Sequence, residues 1–464
     1  METRSVNKIL ISIAVIIAGI IPANAQVELQ YFKPLVIEAV KHNKAIANAQ
    51  LEQKKVLLDQ EYVKGKFTPS LSANAMYGYV NSALNLDVPT MQTPILGTSL
   101  FDGTQQVNTS SQLAVGSLTA SQVIFSGLQI TKASKALAEK AKAQQLMIES
   151  NYDVIAQDVT STLDQLMLLK EVDLLILDSE KRLNKEHEKL IKGIENGLAI
   201  PYDRDKMKLA ILELESKKAE IQSSRSLLYY KLQDLTGLSL DELKSFDYKL
   251  FEITFAMDKA SQMNRKELEA LQTSQHAYQY ILEKEKAARL PQVFAFANLS
   301  YFNAFNSDIT LKDIPKLGDL KLETNHLRLA PSYAVGIGLK WNILEGKTHK
   351  TSVGKAKLDM EMNANKLQDT QDKLALLQKK VISDYDLANV KIKVNKQQIT
   401  IANNNLNLAY RQFEEGLIDV TERLEAENEY YKQSLNYYNQ LLNQRLAAME
   451  VLKVNGNLYQ TILN

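Results

Sequence analysis

The sequence predicts a membrane protein of mixed α and β class, built from one helix–strand–strand–helix unit written twice. Three observations predict it: a secretory leader, a tandem duplication at one offset, and four stretches where a helical period gives way to a period of two. The 464 residues are 45% hydrophobic and 23% charged, ample for a folded core and too polar for a bundle of membrane helices. Lys and Arg number 55 against 54 Asp and Glu, so no broad nucleic-acid surface is expected. Cysteine is absent, which excludes disulfides, thiolate metal sites and thiol nucleophiles.

The leader comes first. Arg4 and Lys8 precede an apolar run from Ile9 to Ile21, and Ala23-Asn24-Ala25 supplies a small-x-small cleavage pattern, so residues 1–25 read as a signal peptide. The alternative is an uncleaved anchor, but the run falls short of the roughly 20 residues that span a bilayer as a helix. With no cysteine after the cleavage site, a lipid on the mature amino terminus is not expected. No later run is apolar for the length of a spanning helix, so the mature chain either stays in solution outside the cytoplasm or crosses a membrane as strands.

The duplication is exact in its spacing. "IFSG" ends at Gly127 and "ILEG" at Gly346; "IENGLA" carries Gly197 where "FEEGLI" carries Gly416; "LTG" ends at Gly237 and "VNG" at Gly456. The differences 346 − 127, 416 − 197 and 456 − 237 are all 219, and the two helix-to-strand prolines differ by 291 − 69 = 222. The repeats are residues 26–245 and 246–464.

Within each repeat the elements follow in order. A helix over 36–66 leads through the joint at Pro69 into a strand over 67–80, then a loop over 81–112, a strand over 113–125 and the joint at Gly127. A helix over 128–193, a tight turn, a helix over 201–235 and a belt over 236–256 complete the first repeat. The second has a helix over 257–290, the joint at Pro291, strands over 291–303 and 332–344 around a loop over 304–331, and the joint at Gly346. It ends with helices over 347–415 and 420–453 and a belt segment over 454–464. Apolar residues such as Ile148, Tyr152, Ile155 and Val159 keep helical spacing. Some 66 residues at 1.5 Å each make a rod of about 100 Å, and on periodicity alone a coiled-coil spacer fits it.

The strands argue for more than a spacer. Tyr333, Val335, Ile337, Leu339 and Trp341 alternate with small or polar residues, as do Leu71, Ala73, Ala75, Tyr77 and Tyr79. Proline ends a helix and biases its predecessor to extended geometry, which makes Pro69 and Pro291 joints between two regimes. Strands of 11–13 residues are long enough to cross a bilayer at a tilt, with Tyr77, Tyr79, Tyr301, Tyr333 and Trp341 suited to the interfaces with outer lipid. Four strands cannot close a barrel, so several chains must pool them: a dimer gives eight, a trimer twelve.

The leader, the duplicated unit, "P-x-L/V" at the start of each first strand, "F-S-G" and "L-E-G" after each second strand, and the "G-L" turns followed by acidic residues resemble the TolC family of outer-membrane efflux proteins. The likeness spans essentially the whole mature chain. It implies a homotrimer with a 12-stranded outer-membrane β-barrel, extracellular loops and a long periplasmic α-helical tunnel. It also implies a cell outer membrane location, docking to a periplasmic adaptor, and supply by an inner-membrane transporter of the RND, ABC or MFS class. The function implied is the exit duct of a tripartite efflux or type I secretion system, passing drugs, small molecules or proteins.

The same resemblance places a periplasmic constriction at the helix turns. Acidic residues six and nine positions past the turn glycine are Glu422 and Glu425 in the second repeat; in the first, Asp203 stands at six but Lys206 at nine. Three copies would ring the axis with carboxylates that attract cations. The alternative is a helix-dipole preference, with Asp419 and Glu422 as a variant capping box. Phe413 and Ile418 stand where the family can have tyrosine and arginine, so a polar latch of that type is not expected. Gly197-Leu198-Ala199 and Gly416-Leu417-Ile418 expose apolar residues at helix ends, the family's adaptor-docking surface.

No cofactor or metal is expected, and no enzyme. His42, His187, His276, His326 and His349 are scattered, with no metal spacing, nucleophile elbow or phosphate loop. The competing function is a trimeric envelope stalk or adhesin-like structural protein without transport.

Overall fold

The computed structural model describes residues 29–92, 99–254, 265–314 and 318–464. The expected leader at 1–25 and belt residues 255 and 256 lie outside the described residues. After a short 3-10 turn, the chain runs α1 (Lys33–His42), α2 (Lys44–Gly65), β1 (Ser70–Gln92), β2 (Ser99–Phe125), α3 (Gln129–Glu195), α4 (Pro201–Thr236) and α5 (Leu240–Lys244). It continues with α6 (Lys266–Ala287), β3 (Gln292–Ile314), β4 (Gly318–Lys340), α7 (Thr348–Glu414), α8 (Val420–Val454) and α9 (Leu458–Leu463). Two compact units result: Met1–Gln53 with Lys142–Gln272 and Asn365–Asn464, and Lys54–Ala141 with Thr273–Ala364.

The first unit is helical. Its core gathers Phe32 of the 3-10 turn, Leu35, Val36 and Ala39 of α1, Val159, Leu163, Leu166 and Ile176 of α3, and Ala448, Met449, Val451 and Val454 of α8, all close to fully buried. The expected single helix over 36–66 is divided at Asn43, whose backbone turns extended (φ −65°, ψ 114°). The Asn43 side chain accepts the Ile46 N–H at 3.0 Å, capping α2 as it breaks α1. His42, just before the break, packs so tightly on Gly237 that a Cβ there would lie 2.6 Å from its Nδ1; Gly237 also has φ +73°. The belt is anchored by α8: Gln444 accepts the Ile253 N–H at 3.0 Å and donates to the Ile253 carbonyl at 2.7 Å, as a strand neighbour would. Buried Arg445 next to it grips both oxygens of Asp164 at 2.9 and 3.0 Å and donates to the Phe251 carbonyl at 2.8 Å.

The second unit holds a four-stranded antiparallel sheet in the order β1-β2-β3-β4, so β1 and β4 lie at its edges. The loops expected over 81–112 and 304–331 are corrected: β1 continues to Gln92, β2 begins at Ser99, β3 continues to Ile314 and β4 begins at Gly318. Backbone groups pair whatever the side chains, and polar β-formers such as Thr104, Thr109 and Thr310 carry the ladder on. The expected strand over 332–344 stops at Lys340, because its partner begins at Gln292 and Pro291 has no N–H to offer.

Pairing from Ser70 to Val88 is unbroken, so β1 alternates faces strictly over that length. Directly opposed residues form rows across all four strands. Leu71, Ala120, Ala297 and Val335 make one row, and Ala73, Leu118, Leu299 and Tyr333 make another on the same face. The opposite face has Ser72, Thr119, Asn298 and Ala334, then Asn74, Ser117, Ser300 and Ser332. On that polar face Phe294 and Phe296 lie across Gly338 and Gly336, where added Cβ atoms would come within 2.3 and 3.0 Å of the rings.

The joints pack on one another. Gly127 has φ +62°, and a Cβ there would lie 3.0 Å from the Leu290 carbonyl oxygen and 3.2 Å from that of Pro291. Trp341 donates its indole N–H to the Arg289 carbonyl at 2.9 Å, fastening the chain just before Pro291.

Candidate functional site at the helix turns

Both turns of the first unit end their long helices alike. Leu198 N–H reaches the Gly193 carbonyl at 2.8 Å and Gly197 N–H that of Ile194 at 3.1 Å; Leu417 N–H reaches Gln412 at 2.8 Å and Gly416 N–H reaches Phe413 at 3.1 Å. This is the Schellman closure, with glycine at the left-handed position (φ +76° and +70°). The residue after the glycine commonly folds back on the helix. Here Leu198 and Leu417 stay 85% and 72% exposed, with Ile200 exposed beside the first. Ala199 and Ile418 are half-buried.

Beyond the turns, Pro201 opens α4, and Asp419 caps α8 by accepting the Glu422 N–H at 2.9 Å. That backbone bond holds the Asp419 carboxyl below its usual range. Glu422 and Glu425 share an exposed face of α8, and Asp203 is half-buried in the first turn of α4. The described contacts do not join Asp203 to the two glutamates. Instead Lys206 donates to the Thr421 hydroxyl at 2.7 Å, with its ammonium 4.5 Å from the Tyr202 ring.

Between Glu422 and Glu425, Arg423 turns the other way and is fully buried. It donates to Glu186 of α3 at 2.8 Å and to Glu427 at 2.9 Å; Arg182 of α3 donates to the other oxygen of Glu427 at 2.7 Å and pairs with Asp178. Burial pushes the Glu186 carboxyl up despite Arg423, whereas for Glu427 the two guanidiniums outweigh burial and hold it down. Nearby, Tyr410 donates to Glu414 at 2.8 Å and Lys189 of α3 pairs with the same carboxylate. The bond to Glu414 raises the Tyr410 phenol, and Lys189 lowers Glu414. A tyrosine thus does work at this turn, one helical step before Phe413. Sequence reading passed over these groups, although Arg182 and Glu186, like Arg423 and Glu427, carry opposite charges at the i, i+4 spacing.

The aromatic residues expected at membrane interfaces lie in the second unit. Tyr77, Tyr79, Tyr333 and Trp341 are exposed, and Tyr77 donates to Gln112 at 2.9 Å. Tyr301 is half-buried with the Arg328 guanidinium 5.3 Å from its ring centre. Among the described residues no helix is long and apolar enough to cross a membrane, and no cluster of His, Asp and Glu could hold a metal.

Residues 259–457 match the family model described as Outer membrane efflux protein. Over that stretch the chain is similar to the outer membrane efflux proteins. Most of the chain shares its fold with solved outer-membrane channels: it matches the outer-membrane channel OprN with a TM-score of 0.71 at 12% identity, covering 94% of this chain and 92% of that one. It matches the outer membrane protein VceC of Vibrio cholerae at 0.67 and 16% identity, over 92% and 96% of the two chains. The outer membrane channel CmeC of Campylobacter jejuni matches at 0.68 and 12%, over 92% and 85%. No curated protein sequence matches. The outer membrane efflux family is one of channels and not of enzymes, and its place is the outer membrane with a large helical part in the periplasm.

Proposed function

We propose that three copies of this chain join their sheets edge to edge, β1 to β4, into a 12-stranded barrel continued by a periplasmic helical tunnel, and that the assembly is the exit duct of a tripartite efflux or type I secretion system. An inner-membrane transporter, of the RND, ABC or MFS class, supplies the energy through a periplasmic adaptor. The observation that carries this reading is the four-stranded sheet itself: one face apolar from Leu71 to Tyr333, the other polar, and an edge strand on each side. Open edges cannot stand in lipid, and joining copies removes them. The exposed Leu198 and Leu417 are the docking points for the adaptor, and Glu422 and Glu425, with Asp203, line the narrowed end of the tunnel. The test is the mature protein extracted in detergent: a trimer that loses its compact migration on heating and conducts ions in a planar bilayer is expected. A monomer soluble without detergent, or a trimer that passes no current, refutes the duct, and the latter result favours a stalk.

A further inference from the structure

The apolar face of the sheet ends on an unpaired cation. Beyond the rows of Leu71 and Ala73, the same face carries a row of Tyr77, Ala114, Asn303 and Arg328, then one of Tyr79, Gln112, Phe305 and His326. Directly paired residues share a face and β1 alternates without a break from Ser70 to Val88, which fixes the side on which Arg328 stands. The contacts agree: Tyr77 donates to Gln112 at 2.9 Å, and the Arg328 guanidinium lies 5.3 Å from the centre of the Tyr301 ring. In the barrel proposed above this face meets lipid. Between the Val293–Leu339 pair and the Asn303–Arg328 pair there are 303 − 293 = 10 steps along β3. At about 3.4 Å each and a tilt of about 40°, they cover roughly 26 Å along the membrane normal, close to the ~25 Å height of an outward apolar band. Trp341 and the helix joints lie at the inner end of that band, so Arg328 stands at its outer edge, where hydrocarbon gives way to headgroups.

Among the described residues no carboxylate neutralises Arg328, which is exposed. The next acidic residues along that face, Asp308 and Glu323, are two rows further out, about 14 Å along the strand and beyond the screening length of about 8 Å in physiological salt. Directly opposite, Asn303 is 5% exposed, and its amide oxygen meets no hydrogen-bond partner among the described residues. The amide can therefore turn its N–H groups outward without breaking a bond at that oxygen. His326 is exposed on the same face, its ring edge-on to Phe305. Contact with Tyr301 holds the guanidinium plane, and a guanidinium presents a fork of N–H donors that matches two oxygens of a phosphate. Phosphate is the anionic group that lipids bring to this level. We propose that Arg328, with Asn303 and His326 beside it, binds the phosphate of an outer-leaflet lipid headgroup, one in each chain. This rests on the outer-membrane barrel proposed above.

The test follows lipid bound to the detergent-extracted mature protein by native mass spectrometry, with short-chain phosphatidic acid, phosphatidylcholine of the same chains and inorganic phosphate as probes. Phosphatidic acid is expected to bind one per chain, at least 10-fold more tightly to wild type than to Arg328→Gln. Lys321→Gln removes the same charge three rows further out on that face and should bind as wild type does. Equal binding by Arg328→Gln, or an equal loss in Lys321→Gln, overturns the site. Phosphatidylcholine held as tightly as phosphatidic acid overturns it too, since apolar contact would then suffice, and displacement of phosphatidic acid by millimolar inorganic phosphate overturns a lipid as the source. In each of these cases a trimer that still conducts ions leaves the duct standing. A monomer soluble without detergent overturns both.

Discussion

Removing Arg423 tests the electrostatics of the helix turns most severely. Its guanidinium and the carboxylate of Glu186 are 0% and 2% exposed, and the described hydrogen bonds give Glu186 no other partner. Arg423→Met therefore strands a carboxylate out of water, which typically costs about 3–5 kcal/mol. The pair itself is imperfect, because Nε and Nη1 of Arg423 and the second oxygen of Glu186 meet no hydrogen-bond partner among the described residues. The double variant Arg423→Met with Glu186→Leu should then recover most of the loss, since an apolar pair of similar volume is often as stable as a buried ion pair. Burial already raises the Glu186 pKa, and loss of the cation raises it further. A carboxyl whose folded pKa is raised contributes stability that is full below its unfolded pKa, about 4.3, and is lost as pH climbs through the folded value. The deficit of the single variant should accordingly shrink as pH falls from above the raised folded value toward the unfolded one. The assay is guanidinium unfolding of the detergent-solubilised protein followed by helical circular dichroism. A single-variant deficit below about 1 kcal/mol, or a double variant no better than the single, refutes the reasoning.

Leu198→Asp and Leu417→Asp should leave trimers intact and abolish export; drug susceptibility unchanged from wild type would remove the turns from adaptor docking. Glu422→Gln combined with Glu425→Gln should lower cation preference in planar-bilayer recordings, and identical reversal potentials would take both residues out of the constriction. Gly346→Ala should cost about 1 kcal/mol for its left-handed backbone alone, and Gly127→Ala clearly more, because its Cβ would also press on the Leu290 and Pro291 carbonyls; denaturant midpoints compare the two.

The helices were legible because glycine and proline mark their ends. The expected 128–193 and 347–415 compare with Gln129–Glu195 and Thr348–Glu414, each bounded by a left-handed glycine. The outer halves of the strands were not legible: they are half polar, without clean alternation of apolar and polar residues, so "NTSSQ" and "LETNH" read as loop. The break at Asn43 was hidden for a related reason, since one asparagine inside a helical period is a weak signal until its side chain is seen capping the next helix. At the turns, sequence placed the exposed Leu198 and Leu417 and the exposed Glu422 and Glu425. It missed Arg423 between them, because which way a charged side chain points is decided by the neighbouring helix, and α3 supplies Glu186 and Arg182 there.

The two repeats share an offset of 219, so the counterpart of Arg423 is Arg204. Arg204 is partly exposed and pairs with its neighbour Asp205; among the described residues the ion pairs of α4 with α3 come only later, at Lys218–Glu180 and Arg225–Asp173, and its first turns are held by Met207 packing and the Lys206 bond to Thr421. The first turns of the two matching helices are thus fastened unequally, one by a buried charge cluster and the other by packing and a single bond to a hydroxyl. Amide exchange should accordingly run faster over residues 201–211 than over 420–430, which would make motion at this end lopsided from the outset.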